Sequence, residues 1–387
     1  MNIVGNNLEG SLSIMRKHRY FLTIIFLCSG FYYFGSFGKT VIDSLGTIMI
    51  PVIVLISYMI FIRKFSFCKK NFLLVIISSF LVLFCYIFVG GGLGSVINNL
   101  SAIVFVLIFY EIEIEVREYQ YFAKLVLVFQ VYLIGYCLVH GLENGYIGIY
   151  NSNTIGMQIL FNLIFIDMYI GDKKKQGTLL INVVSILLIL FTKSRTSLII
   201  GLLLLLLMLI NRKKMLAPKL FKIGFWLLAF LGLYFPTLYV NLFLNSNTII
   251  YRLFNQFSVQ YFNKNLFTGR EYIWMEAIEQ INGSWTNLLF GIGSHYGGDI
   301  GSNFHNSYFT IVICSGLIVY ILFIFLLYRF FKRGNFSTRS IQRSRLMYLA
   351  IMIFGFSESV LFSGQFAILA YLLLCVSNSY NLSEDLE

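Results

Sequence analysis

The sequence predicts an all-α, polytopic integral membrane protein with about twelve transmembrane helices, and three observations carry that prediction. Of 387 residues, 58% are apolar and only 12% are charged, with a mean hydropathy of +0.80. Globular domains carry about a quarter charged residues. The apolar residues come in blocks of roughly twenty, the length that crosses about 30 Å of hydrocarbon. Basic residues fall mostly between alternate blocks, as they do when one set of connections stays in the cytoplasm. With 3 prolines and no polar low-complexity tract, disordered, collagen-like and coiled-coil classes are excluded.

In order, the apolar blocks are 20–37, 41–62, 71–89, 96–110, 122–140, 154–171, 178–192, 197–211, 221–244, 304–328, 346–361 and 364–378. The seventh and eighth are short and the last two form a tight hairpin, so the range is roughly 10–12 spans. Arg16, Lys17 and Arg19 precede the first block without a small-x-small cleavage site after it, which predicts an uncleaved signal anchor. With both termini cytoplasmic, inner connections hold 23 of the 29 lysines and arginines. The outer ones hold Lys39, Lys193, Arg195, Arg252, Lys264 and Arg270. The chain is therefore expected to be a single transmembrane domain over 1–387. Residues 245–303 form its large extracytoplasmic loop, between the ninth and tenth spans, with short amphipathic helices. The net charge of +12 then reports topology and anionic inner-leaflet lipid, with no nucleic acid as partner.

The 6 cysteines are scattered without a C-x-x-C pair, and the 4 histidines form no H-E-x-x-H. Neither a disulfide framework nor a metal site is expected.

The seventh connection, Thr192-Lys193-Ser194-Arg195-Thr196-Ser197, places two charges between very apolar blocks, at a depth where charge is expensive. In the long loop, Ile249, Ile250, Leu253, Phe254 and Phe257 recur at helical spacing around Arg252, which predicts a helix lying along the membrane surface. Thr268 and Glu271 have capping-box spacing. The helix they open is expected to bury Ile273, Trp274, Ala277, Ile278 and Ile281 and to stop at Asn282-Gly283. Arg270 then stands in a first turn, where unpaired N–H groups already make the potential positive. A cation there is favourable when an anion is bound beside it, because guanidinium and helix terminus together suit phosphate; a surface arginine reaching lipid headgroups is the alternative. The glycines at 291, 293, 297, 298 and 301 would allow close approach of backbone to a ligand. His305-Asn306-Ser307-Tyr308 opens the tenth span at the water boundary, where a histidine can take a proton near neutral pH. Asn306 or Ser307 suits the helix cap. Glu271, Glu276, Glu279 and Asp299 are the local carboxylates, with the first three on one helix, so no metal cluster is expected.

The ordered set S-R-T-S (194–197), T-G-R-x-x-I-W (268–274), G-I-G (291–293) and H-N-S-Y (305–308) around one outer loop resembles the O-antigen polymerase and ligase superfamily. The resemblance covers roughly 185–330. It implies a metal-independent membrane glycosyltransferase of the bacterial cytoplasmic membrane, multi-pass, needing no cofactor, with its site facing outward and an undecaprenyl-diphosphate-linked oligosaccharide as donor. By the resemblance, Arg195 and Arg270 match the arginines that hold the diphosphate and His305 the proposed base, with Lys193, Arg252, Asn306 and Tyr308 as secondary candidates. A chain-length regulator and a flippase are the implied partners, with membrane lipids around them. A composition rich in Phe, Ile, Asn and Lys favours a repeat-unit polymerase making O-antigen or capsular polysaccharide over a ligase acting on lipid A core. The rival from another class is a transporter or flippase, which needs polar groups along a central path. Asp167 and Glu358 are its candidates, with Asp167 expected to reach toward Lys173–Lys175 and Glu358 expected in the last outer hairpin.

Overall fold

The computed structural model describes residues 2–62, 69–89, 93–143, 145–170, 175–213, 216–262, 265, 269–293, 305–334, 336, 339–361 and 364–376. They are almost wholly helical. The first half contains α1 (Asn2–Gly30), α2 (Gly35–Ser57), α3 (Lys69–Val89), α4 (Leu93–Glu111) and α5 (Val116–His140). A hairpin of β1 (Tyr146–Ile147) and β2 (Tyr150–Asn151) follows, and then α6 (Ser152–Ile170), α7 (Lys175–Phe191), α8 (Arg195–Lys213) and α9 (Pro218–Leu244). The long connection holds α10 (Ile249–Phe262), α11 (Arg270–Asn282) and α12 (Trp285–Phe290), and the chain closes with α13 (Ser307–Phe331), α14 (Arg339–Phe354) and α15 (Gly364–Leu372).

The all-α class is as expected, and apolar helices follow the predicted blocks in order. By length and hydropathy the described residues hold three helices able to cross a membrane: Glu118–His140, Pro218–Leu244 and Ser307–Phe331. A bent pair, Arg16–Tyr33 with Gly35–Asp43 at 104°, makes up to four. The other apolar helices are shorter. Apolar side chains look outward all round: Leu220, Ile223, Leu227 and Phe230 on α9 and Leu180, Leu187 and Leu190 on α7 are exposed, as lipid-facing surfaces are. The core lies around α6, where Ile159 to Ile166 are buried without a break, and around α13, α14 and α15.

Two expectations about boundaries change. The first apolar block was placed at 20–37; the helix instead starts at Asn2 and stops at Gly30, with the chain turning at Phe31–Tyr33. The eleventh block, 346–361, is helical only to Phe354, and residues 355–361 leave the helix as turns. Gly291 of G-I-G packs its backbone against α13, and Gly297, Gly298 and Gly301 lie outside the described residues. Gly291 and Gly316 have φ of 84° and 79°, Gly316 interrupts α13, and Ile292 N–H donates to Ile313 O at 2.8 Å. A Cβ at Gly316 would lie 2.1 Å from Leu289 O, so this crossing of backbones requires glycine. Asp167 precedes Lys173–Lys175, which lie, apart from the backbone of Lys175, outside the described residues. It is fully buried and paired with Arg343, whose Nε donates to it at 2.9 Å.

Candidate functional site

Polar side chains at the N-terminal end of α13 come from four connections that are far apart in sequence. The first is the 192–194 turn between α7 and α8. Thr192 Oγ1 donates to Ile189 O at 2.7 Å, Ser194 and Ser197 share a hydroxyl bond of 2.9 Å, and Arg195 is the first residue of α8. Gly156 of α6 leaves room for this turn, since a Cβ there would come within 2.7 Å of Ser194 Cβ. Arg195 Nη1 donates to Ser258 Oγ at 2.6 Å and to Asn265 O at 2.9 Å. Ser258 lies on the buried face of α10, whose Ile249, Leu253, Phe254 and Phe257 are exposed, as an interfacial helix requires.

The second connection brings Arg270, the first residue of α11. Thr268 lies outside the described residues. The cap is Gly269, at φ 91°, and the Glu271 carboxylate accepts from Gly269 N–H at 3.0 Å. Trp274, Ala277 and Ile281 are buried as the spacing predicted, and the helix ends at Asn282. Arg270 Nη1 donates to Ser357 O at 2.6 Å and Nη2 to Glu358 Oε1 at 2.8 Å.

The third and fourth connections are joined to each other. Asn306 caps α13, its Oδ1 accepting from Tyr308 N at 2.9 Å and Phe309 N at 2.7 Å. Its amide donates to Phe356 O at 2.8 Å and Gly232 O at 3.1 Å. Ser307 N donates to Gly355 O and Ser307 Oγ to Glu358 O, both at 2.8 Å. Where α14 ends, the carbonyls of Gly355, Phe356 and Glu358 accept from the cap of α13. Glu358 is delivered beside His305, with Oε2 3.3 Å from Nδ1. Burial pushes the Glu358 carboxyl up, but the Arg270 guanidinium and the His305 contact more than offset this and hold it below its ordinary value.

Arg195, Arg270 and the Tyr239 phenol lie within electrostatic reach of one another. Both arginines are partly buried, with Arg270 at 19% exposure, and His305 is 36% exposed. Among the described residues the only non-glycine residues with left-handed backbone are Lys193 (φ 52°) and His305 (φ 49°). Such strain costs about 1–3 kcal/mol and persists where surrounding structure holds it.

The structure thus gathers the predicted Arg195, Arg270 and His305. It separates the secondary candidates. Asn306 and Tyr308 are fully buried, the first as the cap and the second donating to Met352 O at 2.8 Å. Arg252 is exposed on α10, and Lys193 borders a groove of about 470 Å³ lined by Gly141, Leu142, Leu187, Leu190 and Phe191. The buried Trp274 packs edge-on against Tyr239 at 5.0 Å. Sequence reasoning named Glu358 only as a transporter candidate and missed it as the partner of Arg270 and His305; it missed Tyr239 altogether. The signal for Glu358 was a carboxylate in an otherwise apolar hairpin; for Tyr239, inside an apolar span, there was none. Among the described residues no three His, Cys, Asp or Glu side chains gather in one place.

Residues 180–324 match the family model described as O-antigen ligase, a stretch that contains Arg195, Arg270 and His305 but ends before Glu358. The match supports the O-antigen polymerase and ligase superfamily, and with the apolar helices it indicates a membrane protein of polysaccharide biosynthesis. No curated protein and no solved structure matches the chain.

Proposed function

We propose that the chain is a glycosyltransferase of the bacterial cytoplasmic membrane that lengthens a lipid-linked glycan on the outer face, taking its donor as an undecaprenyl diphosphate. The observation that carries this reading is the convergence of Arg195 and Arg270 with the His305–Glu358 pair, although the groups come from four separate connections. Two guanidiniums within electrostatic reach of each other repel, and a diphosphate turns that repulsion into attraction. Each also stands at the first residue of a helix, where the dipole adds to the same potential.

In the reaction, the acceptor hydroxyl oxygen attacks C1 of the donor sugar from the face opposite the diphosphate. The new C1–O bond forms as the bond to phosphate oxygen breaks, and that electron pair leaves with the diphosphate. Arg195 and Arg270 neutralise the departing charge in a poorly solvated site. The hydroxyl proton passes to His305. Attack from the opposite face inverts the anomeric centre.

The test is the purified protein in nanodiscs with an undecaprenyl-diphosphate-linked repeat unit. A ladder of longer glycans supports the polymerase. The description of the matching family favours a second reading, a ligase. Transfer to lipid A core without lengthening would establish that reading instead. Movement of the lipid across the bilayer with neither product would establish a flippase.

A further inference from the structure

Glu358 touches both halves of the site: Oε1 accepts from Arg270 Nη2 at 2.8 Å and Oε2 faces His305 Nδ1 at 3.3 Å. The two contacts are held differently. Glu358 and His305 sit on segments tied by backbone and cap bonds. Ser307 N donates to Gly355 O, Ser307 Oγ to Glu358 O, and Asn306 Nδ2 to Phe356 O, each at 2.8 Å, and Leu361 N donates to Ser307 Oγ at 3.1 Å. Their distance is built into the cap of α13. Arg270 comes from a different connection and is held only by its own guanidinium, Nη1 donating to Ser357 O at 2.6 Å and Nη2 to Glu358 Oε1 at 2.8 Å, so a turn of the side chain can exchange the Glu358 contact for another anion.

We infer that Glu358 couples donor binding to the base: it fixes the His305 tautomer, and it is the partner that the donor's diphosphate displaces from Arg270 Nη2. This deepens the lipid-diphosphate reading and rests on it. A carboxylate can only accept, so the ring nitrogen facing it carries the hydrogen and the proton-accepting lone pair lies on Nε2. When Arg270 turns to the diphosphate, the Glu358 charge is no longer shared with a guanidinium. An imidazole beside an uncompensated carboxylate holds a proton more tightly. The base therefore strengthens once the donor is held. Glu358 is in this sense a positioning residue, acting through Arg270 and His305.

The competition has an unusual consequence: removing the Glu358 charge improves donor binding while turnover falls. The experiment measures the two separately on the full chain in nanodiscs. Binding is read by competition of inorganic pyrophosphate against a fluorescent undecaprenyl diphosphate, and turnover by the glycan ladder at saturating donor. Glu358→Gln is expected to bind at least about fivefold more tightly and to turn over on the order of a hundredfold more slowly. Glu358→Asp, too short to bridge both partners, is expected between wild type and Gln in both readouts, and it serves alone if the Gln variant does not fold. A purely structural role predicts instead that binding and turnover fall together in either variant, and that result overturns the coupling. If wild-type protein itself binds no pyrophosphate, the lipid-diphosphate reading fails. Binding by wild type with weaker or unchanged binding in the Glu358 variants leaves that reading standing and removes only the coupling.

Discussion

Two arginine–carboxylate clusters stand at opposite ends of α13, and they are built on opposite principles. At the C-terminal end of α13, Arg333 donates to Tyr110 O and Ile112 O, where α4 finishes, and pairs with Glu113. Arg345, fully buried, donates to Arg333 O at 2.7 Å and to Leu373 O and Leu374 O, where α15 finishes. These cations close helix C-termini, where unpaired carbonyls and the negative dipole end want them. Arg343 meets a fully buried Asp167 in the same region. At the N-terminal end, Arg195 and Arg270 each occupy the first residue of a helix, the unfavourable end for a cation. Arg195 donates to a serine hydroxyl and a backbone oxygen, and Arg270 to a backbone oxygen and to the Glu358 carboxylate, which also faces His305. One cluster uses its cations to close helix C-termini and to pair a buried carboxylate; the other places two guanidiniums at helix N-termini, where the proposed diphosphate would be held. The same residue types are a staple in one place and a candidate binding site in the other.

That contrast can be broken by mutation, and the largest effect is expected in the staple. Arg343→Ala removes the guanidinium that is paired with the fully buried Asp167 carboxylate, which is expected to cost about 3–5 kcal/mol. Melting in detergent should drop sharply, and Asp167→Asn combined with Arg343→Gln should recover part of the loss. A normal melting temperature for Arg343→Ala would show that this cluster is no staple. In the candidate site the loss should appear in turnover with stability nearly unchanged. Arg270→Ala and Arg195→Ala are each expected to lower glycan transfer by about 100- to 1,000-fold, with membrane levels close to wild type. Lysine should rescue only partly, since it lacks the planar fork. An Arg270→Ala protein that disappears from the membrane would move Arg270 into the structural class.

His305→Ala follows, with transfer reduced on the order of a hundredfold and pyrophosphate binding much less affected. His295, outside the described residues, is the control, and its alanine variant is expected to stay largely active; glycan ladders compared at matched expression decide between them. The smallest effect concerns acid. The Glu358 carboxyl is held below its ordinary value, so its contribution to folding is present above the unfolded value of about 4.3 and lost as pH falls through the folded one. The melting difference between wild type and Glu358→Gln should therefore shrink on acidification from neutral pH toward that range. A gap that stays constant would mean that the Glu358 charge contributes nothing to holding the site together.

Short-range information in the chain was enough for the helical class, the order of apolar blocks, a helix through 249–257, a helix with Arg270 in its first turn, and a cap of α13 at Asn306 or Ser307. Each is set by periodicity or by a side chain within a few residues of the backbone it caps, so neighbours in sequence determine it. The pattern S-R-T-S, T-G-R and H-N-S-Y also identified the three residues that the fold brings together. What no local pattern contained was the fourth partner. Residues 355–361 read as the end of an apolar span because Phe356, Val360 and Leu361 suit a helix in lipid. They leave it where Asn306 and Ser307, some fifty positions earlier, take their carbonyls. Asp167 is likewise buried by Arg343 at a separation of 176 residues, and Gly291 is required by the break at Gly316. Such choices belong to tertiary structure, since in a medium without water a polar group settles wherever the folded chain offers it a partner, however distant that partner is in sequence.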